Sequence, residues 1–125
     1  METGLKIRLD PLDKLFSEFI RLRANNKCER CGVYKETKQL QTSHFHGRRK
    51  KSVRWDEDNA AGLCFACHQY LGENPLEHYE WFRDRLGEGK FHDLNIRANF
   101  RGVKPDINGI TLYLREKIKE LKEGI

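Results

Sequence analysis

The stretch that decides the fold runs from Cys28-Glu29-Arg30-Cys31, through Thr42-Ser43-His44-Phe45-His46-Gly47-Arg48-Arg49-Lys50-Lys51, to Asp58-Asn59-Ala60-Ala61-Gly62-Leu63-Cys64-Phe65-Ala66-Cys67-His68. Two Cys-x-x-Cys pairs close its ends and use all four cysteines of the chain. Two residues between thiolates let both sulfurs face one tetrahedral ion, and Gly32 permits the tight turn behind the first pair. Four cysteines could also form disulfides. However, Met1-Glu2-Thr3-Gly4 has neither the basic opening nor the apolar run of a secretory signal. The expectation is a reduced set in a cytoplasmic protein, with Cys28, Cys31, Cys64 and Cys67 holding a structural zinc ion. Four thiolates close the shell and leave no open position for chemistry. Two knuckles joined by a hairpin, the second opening a helix, describe a treble-clef finger.

Outward from this core the pattern is helical. On the N-terminal side, residues 1–9 are short and mixed and read as a frayed arm. Asp10-Pro11 is a helix start, with Asp10 as cap, Pro11 at the first position and Asp13 at the positive end of the helix dipole. Leu12, Leu15, Phe16, Phe19, Ile20 and Leu22 recur at helical spacing, which predicts an amphipathic helix over residues 11–24 ended by Asn25-Asn26. Inside the core, Leu40 to Phe45 reads as a short strand and residues 47–51 as a cationic loop. Ser52-Val53-Arg54-Trp55 reads as a return strand, and Asp56-Glu57-Asp58-Asn59 as a polar turn. A helix follows the second knuckle and is expected to stop at Gly72. Asn74-Pro75 opens another, with Glu77 in capping-box position, Leu76, Tyr79, Phe82, Arg83 and Leu86 on one face, and Gly87 closing it. Trp81 lies off that face, over the knuckle region or a partner. Residues 88–100 form a weaker helix candidate, and a last helix is expected over residues 106–122. The fold class is therefore α+β: one domain over residues 1–125, with a small zinc core at 28–72, an N-terminal helix at 11–24 and C-terminal helices within 75–122.

The chain has 125 residues, 38% of them apolar and 34% charged, so its core is modest and a bound metal is a reasonable staple. No apolar run approaches the length needed to span a membrane, so no membrane partner is expected. A net charge of +5 and a pI near 9.1 suggest a polyanionic partner. Arg48, Arg49, Lys50, Lys51 and Arg54 gather beside the histidines, where they are suited to neutralise phosphates without reading sequence. A solvated loop is the plainer account of the same run.

The positions of His44, Asn59 and His68 relative to the knuckles resemble the HNH, or ββα-metal, nuclease superfamily. There a histidine ends the first strand, an asparagine precedes the second knuckle by this interval, and a histidine follows its last cysteine. More narrowly, Ser43-His44-Phe45 with Arg48, then Arg54-Trp55-Asp56-Glu57-Asp58-Asn59, resemble phage and prophage proteins of the NinG/Rap recombination-nuclease type. The resemblance implies a ββα-metal core and DNA phosphodiester hydrolysis that leaves a 5′-phosphate and a 3′-hydroxyl. It also implies a divalent catalytic ion such as Mg2+ or Mn2+, distinct from the structural Zn2+. By resemblance His44 is the general base and His68 a ligand of the catalytic metal. Asn59 either hydrogen-bonds the His44 ring or ties down the loop.

One position departs from the pattern. Many superfamily members carry an aspartate or histidine just before the base, as a second metal ligand, and Ser43 stands there instead. His46, on the same side of a strand as His44, could supply the missing ligand, contact phosphate or assist the base. Asp56 or Asp58 could also reach in, although a solvated turn is the plainer account of both. His78 and His92 lie outside the motif and suit packing or surface roles. Two functions follow: a metal-dependent HNH endonuclease acting on DNA, active as a monomer or a homodimer, or a non-catalytic treble-clef protein that binds nucleic acid or a protein partner.

Overall fold

The computed structural model describes residues 10–36, 39–100, 102 and 104–124. The N-terminal arm expected over residues 1–9 lies outside them. Among the described residues, five α-helices and a two-stranded sheet make up the fold, a mixed α+β arrangement around the cysteine cluster.

Helix α1 spans Pro11–Arg23. The Asp10 carboxylate accepts from Leu12 N at 2.7 Å and Asp13 N at 3.4 Å, which satisfies amides the helix leaves unpaired. Asn25 and Asn26 stop it in the left-handed region, at φ 55° and 57°. Asparagine enters that region more readily than other residues with a side chain. The apolar stripe of α1 buries Leu12, Phe16, Phe19 and Ile20 against Leu114 and Ile118 of the last helix, α5 (Ile107–Lys122).

Strand β1 (Gln41–His44) pairs antiparallel with β2 (Ala60–Leu63), placing Ser43 opposite Ala61 and His44 opposite Ala60. The return strand is thus not Ser52–Trp55. That segment overlaps a 3-10 turn at Lys51–Val53, with Val53 buried against Leu94 and Ala98. The real partner, Ala-Ala-Gly-Leu, lacks the β-branched and aromatic residues that mark strands. Its small side chains give it a place between two packed layers. Ala60 faces the α1 cluster, whereas Ala61 and Leu63 face the knuckle cluster. A Cβ on Gly62 would lie 2.7 Å from Leu40 Cδ2, so glycine admits the close approach.

Helix α2 (Phe65–Glu73) begins at the second knuckle and runs through Gly72 rather than stopping there. Helix α3 (Pro75–Leu86) starts and ends as the sequence indicates, but without a capping box. The Asn74 side chain donates back to Tyr70 O at 2.7 Å, and Glu77 accepts from Tyr70 Oη at 2.5 Å. Of the face expected for α3, Phe82 is buried, while Leu76 and Tyr79 are 69% and 45% exposed. Trp81 covers the knuckle cluster, as anticipated. Helix α4 (Glu88–Ala98) is fully formed and buries Phe91, Leu94 and Ala98. Phe45, directly after β1, joins the layers, with the rings of His78, Tyr79, Phe82 and Phe91 at 5.1 to 6.1 Å. No helix among the described residues is long and apolar enough to cross a membrane.

Candidate metal centre and the adjoining pocket

The cysteine cluster is built from two local turns. Cys28 N donates to Val33 O at 2.9 Å and Gly32 N to Cys28 O at 2.8 Å, with Gly32 at φ 82°. In each knuckle an amide also points at sulfur: Cys31 N at Cys28 Sγ (3.4 Å) and Cys67 N at Cys64 Sγ (3.5 Å). The four sulfurs lie within 4.8 Å of one another, and Cys31 Sγ is 3.8 Å from Cys64 Sγ. Zinc–sulfur bonds of ~2.3 Å place the sulfurs of a tetrahedral site about 3.8 Å apart, so these residues can hold a zinc ion. Burial pushes the Cys67 thiol up, to about 12, despite the Arg30 guanidinium 3.4 Å from its sulfur. Burial opposes ionisation of Cys28 too, but hydrogen bonds from backbone amides outweigh it and bring this thiol down to about 6. A dication would ionise all four thiols together, since thiolate is the ligating form.

Glu29 braces the first knuckle against the rest of the fold. It accepts from Gly62 N at 2.7 Å, Arg23 Nη2 at 3.0 Å and Arg85 Nε at 3.0 Å. Burial opposes its ionisation, but the charges of Arg23 and Arg85 outweigh this and hold the carboxyl below its ordinary value.

A pocket of about 410 Å³ opens beside β1, lined by Asp13, Phe16, Ser17, Thr42, His44, Gly47, Arg48 and His68. Helix α1 supplies its first wall through residues one turn apart. Thr42 Oγ1 donates to Ser17 Oγ at 2.9 Å across the gap to β1. His44 Nε2 donates to the Arg54 carbonyl at 3.0 Å. A carbonyl only accepts, so Nε2 carries the proton and Nδ1 keeps its lone pair. Burial lowers the His44 pKa; the Arg54 carbonyl and Asp13 oppose this, and the Arg48 and Arg54 charges add to it. His68 also lines the pocket, and its Nδ1 shares a hydrogen bond of 2.5 Å with Ser43 Oγ. His44, His68 and Arg48 thus all line one pocket.

The other candidates lie around it. Asn59 is fully buried, and its side chain makes its hydrogen bonds elsewhere than to the His44 ring. Its Oδ1 accepts from His46 N at 2.8 Å, and its Nδ2 donates to His46 O at 2.9 Å and Val53 O at 3.1 Å. Of the two roles open to it, the asparagine takes that of tying down the loop. His46 turns away, with Nε2 donating to Asn95 Oδ1 at 2.7 Å, and does not line the pocket. Asp56 is also turned away. Its carboxylate accepts from Arg97 at 2.7 and 3.2 Å and caps Asp58 N at 3.0 Å, so neither residue supplies a ligand beside His68. Asp58 likewise pairs with Arg97, at 3.3 Å. Arg54 spends its guanidinium on Asp13, while Arg49, Lys50 and Lys51 are exposed and make no ion pair among the described residues. His78 stacks on Phe45 and His92 is exposed.

Asp13 is the pocket residue that sequence reasoning assigned only to the helix dipole. It accepts from Arg54 Nε (3.1 Å), Arg54 Nη2 (2.5 Å) and Trp55 Nε1 (2.8 Å), with Arg48 Nη1 at 3.5 Å. Burial opposes its ionisation, but the Arg54 and Trp55 hydrogen bonds outweigh it and keep the carboxyl below its ordinary range. Its spacing from Phe16 and Ser17 placed it on one helix face with them, the one signal available beforehand.

A family model described as Bacteriophage Lambda NinG protein matches residues 6–124. The chain belongs to the NinG family. The match extends far beyond the cysteine cluster and spans α1 and the C-terminal helices as well as the knuckles. No curated protein and no solved structure matches this NinG-family chain.

Proposed function

We propose that this NinG-family protein is a metal-dependent endonuclease of the HNH type that hydrolyses DNA phosphodiester bonds during phage or prophage recombination or DNA processing. The observation that carries the reading is His44. Its Nε2–H is tethered to a main-chain carbonyl, which leaves Nδ1 as a base at the wall of a pocket shared with His68 and Arg48. His44 Nδ1 takes a proton from water as the water oxygen bonds to phosphorus. The phosphorus–oxygen bond to the 3′ carbon's oxygen breaks, and that oxygen leaves as a hydroxyl once protonated. Arg48, only loosely held by Asp13, is free to meet the phosphate, and the exposed Arg49, Lys50 and Lys51 follow the backbone on either side.

Two metals belong to this reading. The four cysteines would hold Zn2+, and Cys67 would fix the backbone of His68 beside it. His68 would hold the catalytic divalent ion, which when bound supplies Lewis-acid stabilisation of the phosphate and leaving oxygen. Among the described residues no group of three His, Cys, Asp or Glu side chains includes His68, so on this reading the ion would be held by His68 together with water and the substrate phosphate.

Ser43 also favours a second reading, a non-catalytic treble-clef protein bound to nucleic acid. Incubation of supercoiled plasmid with purified protein and Mg2+, Mn2+ or Ni2+ separates the two. Nicking that is lost with EDTA and falls at least a hundredfold in His44→Ala is expected. Plasmid binding without nicking under every metal would establish the second reading instead.

A further inference from the structure

We propose that Asp13 is a positioning residue for His44: by clamping the side chains of Arg54 and Trp55, it sets the carbonyl that fixes which imidazole nitrogen acts as base. The inference rests on the nuclease reading for its catalytic consequence, but the tethering itself does not.

The carbonyl that accepts from His44 Nε2 belongs to the peptide between Arg54 and Trp55. Asp13 holds both side chains that flank this peptide. Its Oδ1 accepts from Arg54 Nε and Trp55 Nε1, its Oδ2 from Arg54 Nη2, and the Arg54 guanidinium lies 5.0 Å from the centre of the Trp55 ring. The main chain closes a turn around this peptide: Arg54 N donates to Lys51 O at 3.4 Å and Asp56 N to Val53 O at 3.1 Å, and Val53 O also accepts from Asn59. The α1 carboxylate adds the side-chain hold on both sides of the peptide, and through it bears on the tilt of the Arg54 carbonyl. An imidazole without a fixed partner exchanges its proton between nitrogens, and a base with the proton on the wrong nitrogen is inactive.

The arrangement has an electrostatic cost. A carboxylate on the wall of a pocket that is to receive a phosphate opposes binding, and it also draws Arg48 to within 3.5 Å. Substituting Asp13 by asparagine should thus move two quantities in opposite directions, which a merely structural residue would not do.

The test uses the full chain, with zinc content and a cooperative melt checked first. The readouts are imidazole 15N spectra of His44, single-turnover nicking of plasmid, and binding of a duplex oligonucleotide. In wild type His44 should be a single Nε2–H tautomer. Asp13→Asn should give a mixed tautomer, nicking slowed about ten- to a hundredfold and duplex affinity equal or tighter. Arg54→Gln should give the same tautomer mixing, and should carry the test if Asp13→Asn does not fold. Adding Asp13→Asn to Arg54→Gln should slow nicking no further. An unchanged Nε2–H tautomer in either folded variant overturns the proposal, as does weaker duplex binding in Asp13→Asn with an unchanged nicking rate. If wild type fails to nick under every metal yet the tautomer still mixes in Asp13→Asn, the nuclease reading falls and the tethering of His44 by Asp13 stands.

Discussion

Replacing Asn59 by alanine removes three hydrogen bonds from the interior at once, those to His46 N, His46 O and Val53 O. At about 1 kcal/mol net for each, the loss is about 3 kcal/mol, and more if the stranded groups stay dry. For a chain of this size a destabilisation of 1 kcal/mol lowers Tm by about 3–5 °C, so Asn59→Ala should melt roughly 10–15 °C below wild type. Circular dichroism melts with zinc in slight excess measure this directly. Asn59→Asp sharpens the test, because it keeps the acceptor for His46 N but sets a carboxylate against two carbonyls. Its pKa in the folded state would rise above the unfolded value near ~3.9, so the folded state holds the proton more tightly. The variant's stability would then fall as pH rises through the window above ~4, and recover on acidification. An alanine variant melting within about 3 °C of wild type would refute the claim that Asn59 is the fastening of this loop.

Three further outcomes are expected. His44 is held below its ordinary value of 6.5, mainly by burial, and a base works in its neutral form. The nicking rate should therefore climb with pH through an acid limb below 6.5, and a half-maximal point above about pH 7 would exclude His44 as the base. Glu29→Gln leaves Arg23 and Arg85 without their anion and should cost about 2–4 kcal/mol in urea melts at neutral pH. Because the Glu29 pKa is depressed from 4.5, that stability is present above this value and lost as pH falls below it, so the gap between wild type and variant should close in acid. Metal analysis should find one zinc per cysteine cluster, retained in His68→Ala and lost with the fold in Cys64→Ser or on strong chelation. A folded, zinc-loaded Cys64→Ser variant would disprove the ligand set.

What could be read in the sequence was local. The knuckles are defined by two-residue spacings, and α1 and α5 by apolar positions that repeat every turn, so short windows carry both. The return strand was misplaced because Ser52-Val53-Arg54-Trp55 has the composition of a strand, whereas Ala60–Leu63 is chosen for lack of bulk. That requirement comes from Leu40 and Ala24 pressing on Gly62, which no local window contains. The pocket divides in the same way. His44 and His68 stand at set distances from the knuckles, and both line the pocket. Asp13 meets Arg54 across 41 positions and Glu29 meets Arg85 across 56, and ion pairs at such separations leave no periodic trace. His46 and Asp56 show the converse. Both have the right chemistry close to the right place, but α4 takes them, through Asn95 and Arg97.

Phe45 ties these layers together with a consequence for motion. Its amide donates to Asn59 O at 2.8 Å, and its ring is wedged among aromatic side chains of α3 and α4. The residue next to His44 therefore cannot shift unless two helices shift with it. Amide exchange at Phe45 should need opening on the scale of the whole fold rather than local fraying. If His44 serves as the proposed base, the conformational entropy of orienting the imidazole is lost once, when the chain folds, and not again at each encounter with substrate.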